Sequence, residues 1–323
     1  MSFPSQVFGL ALTAVMLAGC IQDTDIVEEP GGWVAPPPAP REALGPVGSP
    51  EAFDVLTWNL ENFPKRGAET LEAAAKVLDA IAPDVVAVQE VVNGEALFEL
   101  ADSMPGWQAD VAAFFDPTGP YNPPVGMLWN TATVDVQKRY LIFEDDYDAF
   151  PRSPLVLEVL WRDVAFVIIN VHLKAMGDDF INHANPWDEE VRRLRACERL
   201  DEYMREELRG RRVILLGDFN DRLEEPPSTN VFMPFFDRPG AYLFADMPIA
   251  ANPSRATVSY PKYDSHIDHI LITDALFPSY FRGASYTRTV AVDRSLMNSW
   301  FDYETALSDH RPVLIHLAGL ENK

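Results

Sequence analysis

Apolar residues recur along this chain in two rhythms. From Ala68 to Ile81 they return every three or four positions, which predicts an amphipathic helix. The same spacing at Val191, Leu194, Cys197, Leu200, Met204 and Leu208 predicts a second helix from about Trp187 to Arg209. Short, dense apolar runs predict strands at Phe53–Trp58, Asp84–Gln89, Gly126–Trp129, Pro154–Trp161, Val164–His172, Val213–Gly217, Ile267–Thr273 and Pro312–Leu317. Val164 to Val171 is almost unbroken, as in a strand covered on both faces. It follows Pro154–Trp161 with no room for a helix, so the two form a hairpin and the sheet is mixed.

The N-terminal pattern is different. The apolar run from Phe8 to Leu17 is too short to cross a bilayer, which takes about 20 residues, but suits the core of a secretory signal. It ends in Leu17-Ala18-Gly19-Cys20, which resembles a bacterial lipobox, although no Lys or Arg precedes the run. Residues 1–19 are therefore expected to be a signal peptide, removed before a lipid-bearing Cys20. Residues 20–50 contain Gly31-Gly32 and Pro36-Pro37-Pro38-Ala39-Pro40 and cannot bury enough surface to offset their ordering entropy, so they read as a tether. The folded domain is expected at 51–318, with a tail at 319–323. Ile21 rather than Asp follows the cysteine, which leaves the outer membrane or cell surface open as a destination.

Charge narrows the function classes. With 26 Lys plus Arg against 49 Asp plus Glu, the net charge is -23, which argues against a non-specific nucleic-acid coat protein. It does not argue against an enzyme that cuts a polyanion, because a bound cation and a few local Arg or Lys can reverse the field inside one cleft. The two cysteines, Cys20 and Cys197, form no disulfide framework, and the helical stripe puts Cys197 in the core.

The chemistry sits at strand ends. Six boxes place Asn, Asp, Glu or His at or just beyond an apolar run: Thr57-Trp58-Asn59-Leu60-Glu61, Val88-Gln89-Glu90, Asn170-Val171-His172, Gly217-Asp218-Phe219-Asn220, Ile267-Asp268-His269 and Ser308-Asp309-His310. Strand ends are where a sheet scaffold presents a site. Glu90, Asp218 and Asp309 are hard oxygen donors, suited to Mg²⁺, Mn²⁺ or Ca²⁺, and no Cys/His cluster has zinc spacing. Singly, each box reads as readily as a turn or a helix cap.

Taken together and in this order, the boxes resemble those of the endonuclease/exonuclease/phosphatase superfamily, the DNase I-like group, over roughly Phe53 to Leu317. The resemblance implies a four-layer α/β sandwich: two mixed sheets face to face, helices outside, and a site at one end between the sheets. It implies Glu90 as principal metal ligand, with Asp309 and Glu61 as further ligands, and Mg²⁺ or Mn²⁺ as cofactor. Asn59 and His172 would contact the phosphate, Asp218 and Asn220 would position nucleophile and transition state, and Asp268 would hold His310. Either Asp218 or the Asp268–His310 pair serves as general base. Arg152, ahead of the strand that precedes His172, would bind substrate. His266 shares strand parity with Asp268, so it is expected to face the cleft and His269 to point away.

The implied activity is a metal-dependent phosphodiesterase, with a nucleic-acid strand as first choice of substrate and a monomer tied to a membrane through Cys20 as the expected state. A sphingomyelinase-like or inositol-phosphate phosphoesterase is the enzyme alternative, and a catalytically silent binding lipoprotein is the alternative from another class. Specificity in such scaffolds lies in loops. Two long ones, 111–124 and 221–264, carry aromatics that could stack on bases, seat an acyl chain or pack against the body.

Overall fold

A computed structural model describes residue 44 and residues 47–113 and 121–320. The expected signal peptide, Cys20 and most of the tether lie outside the described residues, as do Phe114 and Phe115. Among the described residues no helix is long and apolar enough to cross a membrane.

Among the described residues twelve strands form two sheets. The first contains β1 (Phe53–Phe63), β2 (Val85–Val91), β3 (Trp107–Val111), β4 (Gly126–Asn130), β11 (Tyr286–Thr289) and β12 (Val313–Leu317), in the order β11-β12-β1-β2-β4-β3. The second contains β5 (Val134–Leu141), β6 (Leu155–Trp161), β7 (Val164–His172), β8 (Val213–Asp218), β9 (Tyr242–Phe244) and β10 (Asp268–Thr273), in the order β5-β6-β7-β8-β10-β9. β1 with β2 and β7 with β8 run parallel and the other pairs antiparallel, so both sheets are mixed.

Side-chain alternation builds the layers. Val55, Ala87, Met127, Leu157, Ile168, Leu216 and Ile270 point inward and fill the space between the sheets. Their neighbours Leu56, Val86 and Leu128 point outward, under α1 (Ala68–Ile81) and α2 (Gly94–Ser103). On the other sheet Val167, Ile169 and Leu215 meet Cys197, Leu200 and Met204 of α3 (Glu189–Glu206). The result is the four-layer α/β sandwich that the resemblance implied. α3 starts at Glu189 rather than Trp187 because Asp188 caps it, accepting from the Val191 N–H at 3.1 Å.

The four strands not foreseen, β3, β5, β9 and β11, are the four sheet edges. Edge strands bury one face or less: all of β11 is half-buried and half of β5 is exposed. β3, β5 and β11 carry no dense apolar run, and β9, with Tyr242-Leu243-Phe244, is only three residues long. The body also begins earlier than Glu51: Val47 is buried and the Gly48 N–H donates to the Ile81 carbonyl at 2.8 Å.

Candidate active site

The two parallel pairs bring their C-terminal ends to one end of the sandwich, where the boxes meet. Asn59 ends the regular pairing of β1 and is buried. Its Nδ2 donates to Asp218 at 2.9 Å and to Glu90 at 3.3 Å, joining a residue of β8 to one of β2 across the gap between sheets. Its Oδ1 accepts from the Glu61 N–H, and Glu61 in turn accepts from the Asp309 N–H, both at 2.9 Å. Asn59, Glu90, Asp218, Glu61 and Asp309 thus form one bonded chain.

Holding these groups requires unusual backbone. Glu61, Asn62, Glu90 and Asn220 all have positive φ, between 41° and 61°. Left-handed non-glycine residues cost about 1–3 kcal/mol each and cluster where a site demands a particular side-chain direction.

On the second sheet, register places His172 and Asp268 on either side of Asp218, so that three strand ends converge. His310 arrives from the loop before β12, and its Nδ1 lies 2.7 Å from Asp268. Its Nε2 faces Asp218 at 4.0 Å and Asp309 at 3.9 Å. Tyr260 stacks on the imidazole, with ring centroids 4.4 Å apart. Burial opposes charge on His310, but Asp268, Asp218 and Asp309 together outweigh it and push its pKa up to about 10. Burial and the nearby Asp268 raise Asp218 to about 7, against the pull of His310 and the Asn59 hydrogen bond. His172, 3.6 Å from Asp218, has its pKa pushed well down by burial, Arg152 and His310, and is a neutral imidazole.

Asn220 donates its backbone N–H to Asp218 at 2.9 Å and its side-chain amide to the Leu173 carbonyl at 3.3 Å. Arg152 donates to that same carbonyl. Each residue singled out in the six boxes as a site residue is therefore at this end of the molecule, with Arg152 at its margin.

His266 is the exception to the parity argument. Regular pairing of β10 begins only at Asp268, so strand parity does not extend back to residue 266. His266 instead lies with His269 and Asp246 in a fully buried group: Asp246 is 2.6 Å from Nδ1 of His269 and 3.1 Å from Nε2 of His266. The tautomers follow from the partners. Nε2 of His269 faces the Asp221 carbonyl at 2.9 Å, which can only accept, so His269 donates from both nitrogens. Nδ1 of His266 accepts the Ser259 N–H, which leaves the proton on Nε2. With both imidazole nitrogens nearest Asp246 protonated, this group is an ion pair with an attendant histidine rather than a metal cage.

Two groups of three potential ligands come within 4.8 Å among the described residues: that cluster, and Asp218, Asp268 and His310. Glu90 and Asp309 belong to neither. They are joined through Asn59 and Glu61, and among the described residues Glu90 accepts only uncharged N–H groups, from Asn59 and Asn62. Glu61 already has a cation, Lys65 at 2.5 Å. An oxygen-rich set with one or two free carboxylates, able to leave waters on the ion, fits Mg²⁺ or Mn²⁺.

Several site residues have no role assigned from the sequence: Tyr260 lies outside every box, and Ser308, Gln89 and Asn170 lie within boxes whose chemistry falls to their neighbours. Tyr260 lies in an irregular loop held by one bridge to Ser265. Ser308 donates to the Asn59 carbonyl and accepts the His310 N–H. Beneath the site Gln89 and Asn170 meet at 2.7 Å, and Asn170 donates to the carbonyls of Val88 and Gly126, tying one sheet to the other. Of the loop aromatics, Phe232, Phe235, Tyr242 and Phe244 pack into the body rather than offering a stacking surface.

The chain matches the Endonuclease/Exonuclease/phosphatase family over residues 56–310. A deoxyribonuclease of Thioalkalivibrio sp. (strain K90mix) is 28% identical over 173 residues, which are 51% of this chain and 45% of that protein; the match spans under half of the relative's length. Solved structures with the same fold include zebrafish (D. rerio) TDP2 complexed with a single-strand DNA product, at 12% identity and a TM-score of 0.58 over 83% of this chain and 99% of that one. The human Nocturnin catalytic domain with bound sulfate has 15% identity and a TM-score of 0.56, over 83% and 94%. A mannosyl-6-phosphatase of Bacteroides thetaiotaomicron has 18% identity and a TM-score of 0.54, over 83% and 100%. At these identities the structural likeness concerns the fold.

Proposed function

This chain belongs to the Endonuclease/Exonuclease/phosphatase family, and from that premise we propose that it is a divalent-metal-dependent phosphodiesterase acting on nucleic acid outside the cytoplasm, tethered to a bacterial membrane by a lipid on Cys20. The observation that carries the reading is the pairing of Asp218, bonded by Asn59 across the sheets, with an imidazole fixed 2.7 Å from Asp268. The deoxyribonuclease relative and the DNA product bound to the zebrafish neighbour favour a nucleic-acid substrate.

Phosphodiesters resist attack because anionic oxygens repel the nucleophile. Glu90 and Asp309, with Glu61 beside them, would hold a divalent ion, which would supply positive charge against those oxygens. His310, reaching from the first sheet to stand cationic between Asp268 and Asp218 of the second, adds a fixed donor. Asp218, with a pKa near neutrality and two hydrogen bonds to its ionised form, takes the proton of the attacking water. Neutral His172 and the second amide hydrogen of Asn220 stabilise the charge that develops on the phosphoryl group, while both amide hydrogens of Asn59 hold Asp218 and Glu90.

The test is hydrolysis of bis-para-nitrophenyl phosphate and nicking of supercoiled plasmid with Mg²⁺ or Mn²⁺, with and without EDTA. The reading expects EDTA-sensitive turnover, lost in Asp218→Asn. Absence of turnover on both substrates sinks it.

A further inference from the structure

Next to the cleft lies a cavity of about 180 Å³ lined by Tyr121, Asn122, Tyr147, Arg152, Lys174 and Arg192. Three cations around so small a space stand out on a chain of charge -23. Their partners differ in kind. Lys174 is paired with Glu189 at 3.5 Å. Arg192 donates to the carbonyls of Asp148 and Tyr147, at 2.5 and 3.0 Å. Arg152 donates to the carbonyls of Pro123 and Leu173, at 3.2 and 3.3 Å.

None of those four acceptors carries charge, and among the described residues no carboxylate lies within ion-pair distance of either guanidinium. Backbone carbonyls therefore fix both forks in place without a contact ion pair, while the charges of Glu90 and Asp218 reach Arg152 from farther off. Arg192 is further held over the rings of Tyr147 and Trp187, each 5.8 Å from its guanidinium carbon, and is only 6% exposed. Tyr147 accepts from Asn122 at 2.9 Å, which leaves its hydroxyl hydrogen to donate elsewhere. Rigid guanidiniums with no contact carboxylate, beside a phenol hydroxyl, are a receptor for a phosphate-like anion.

The cavity shares a wall with the cleft, since Arg152 and Asn220 donate to the same Leu173 carbonyl. We propose that it is a second anion subsite, centred on Arg192, Arg152 and Tyr147, which takes the phosphate next to the one being cut. The substrate then carries neighbouring phosphates, as a nucleic-acid strand does and a phospholipid with one headgroup phosphate does not. This inference rests on the phosphodiesterase reading and narrows its substrate.

The test uses the intact protein with Mg²⁺ and three substrates: a thymidine trinucleotide, the same trinucleotide with one linkage replaced by an uncharged methylphosphonate, and bis-para-nitrophenyl phosphate. Neutralising the neighbouring linkage is expected to raise KM about 10–100-fold with little change in kcat. Arg192→Gln should impose a similar loss on the trinucleotide, none further on the methylphosphonate, and Arg192→Lys should recover part of it. Turnover of the single-phosphate ester by the Arg192 variants reports that they are folded. Should they not fold, the methylphosphonate comparison on the unaltered protein decides alone: equal KM for both trinucleotides overturns the subsite. Anisotropy of a labelled trinucleotide in Ca²⁺ needs no turnover, so equal affinity for the charged and neutral forms overturns the subsite even where hydrolysis fails. Absence of hydrolysis with a retained charge preference would count against the phosphodiesterase reading and not the subsite.

Discussion

Nδ1 of His310 and a carboxylate oxygen of Asp268 lie 2.7 Å apart, and Asp268 is fully shielded from solvent. Removing that carboxylate's charge removes the main support for the imidazolium. Asp268→Asn is therefore expected to lower kcat/KM by about 10²–10⁴ with little change in fold. Steady-state kinetics beside a circular-dichroism melt would check it; wild-type activity in a folded variant would exclude His310 from a charged role.

Asn59 lowers the pKa of Asp218 through its 2.9 Å hydrogen bond, so its loss moves that pKa further up. In Asn59→Ala the acid limb of the pH–rate profile should shift to higher pH, because Asp218 must be ionised to act. Turnover at the optimum should also fall by about 10²–10³. An unshifted acid limb would point to a base other than Asp218.

Asp246 and His269 form a completely buried ion pair behind the cleft. Burial opposes the charge on each, but their mutual attraction prevails and holds Asp246 below the usual carboxylate range and His269 above the usual imidazole range. The stabilisation from His269 is full below about pH 6.5 and fades as pH rises through its raised value. That from Asp246 is full above about pH 4 and fades as pH falls through its depressed value. His269→Leu strands the carboxylate and should cost about 3–5 kcal/mol in urea unfolding near neutrality. A loss below about 1 kcal/mol would mean the pair is not charged.

Gly217 adjoins Asp218 with φ at +148°, and a Cβ built there would fall inside the Val171 carbonyl. Gly217→Ala must separate β7 from β8 where they present His172 and Asp218. A destabilisation of about 3 kcal/mol or more is expected, along with loss of activity. Unchanged thermal melting would show that the strands yield without strain.

The central strands and the polar boxes at their ends were legible in the sequence because both follow from burial. A strand covered on two faces is written as an unbroken apolar run, and a polar residue ending such a run needs a reason to be there. Periodicity failed where burial is partial, as at the edges β5 and β11, and where a strand had not yet begun, as at His266. Tyr260 was silent for a related reason: its stacking on His310 is set by a loop conformation, and loop conformation leaves no period. Arg192 was silent because its partners are backbone carbonyls, which any sequence supplies.

The amide seam formed by Gln89 and Asn170 has a mechanical consequence. If one sheet slipped past the other by a single residue, Asn170 would lose both carbonyls and Gln89 its partner, in a dry interior where stranded polar groups are expensive. The spacing between Glu90 on one slab and Asp218 on the other is thus locked from below, like jaws whose gap is fixed at the hinge. Denaturation should then abolish turnover and sheet structure in one step, with no misaligned yet compact species along the way.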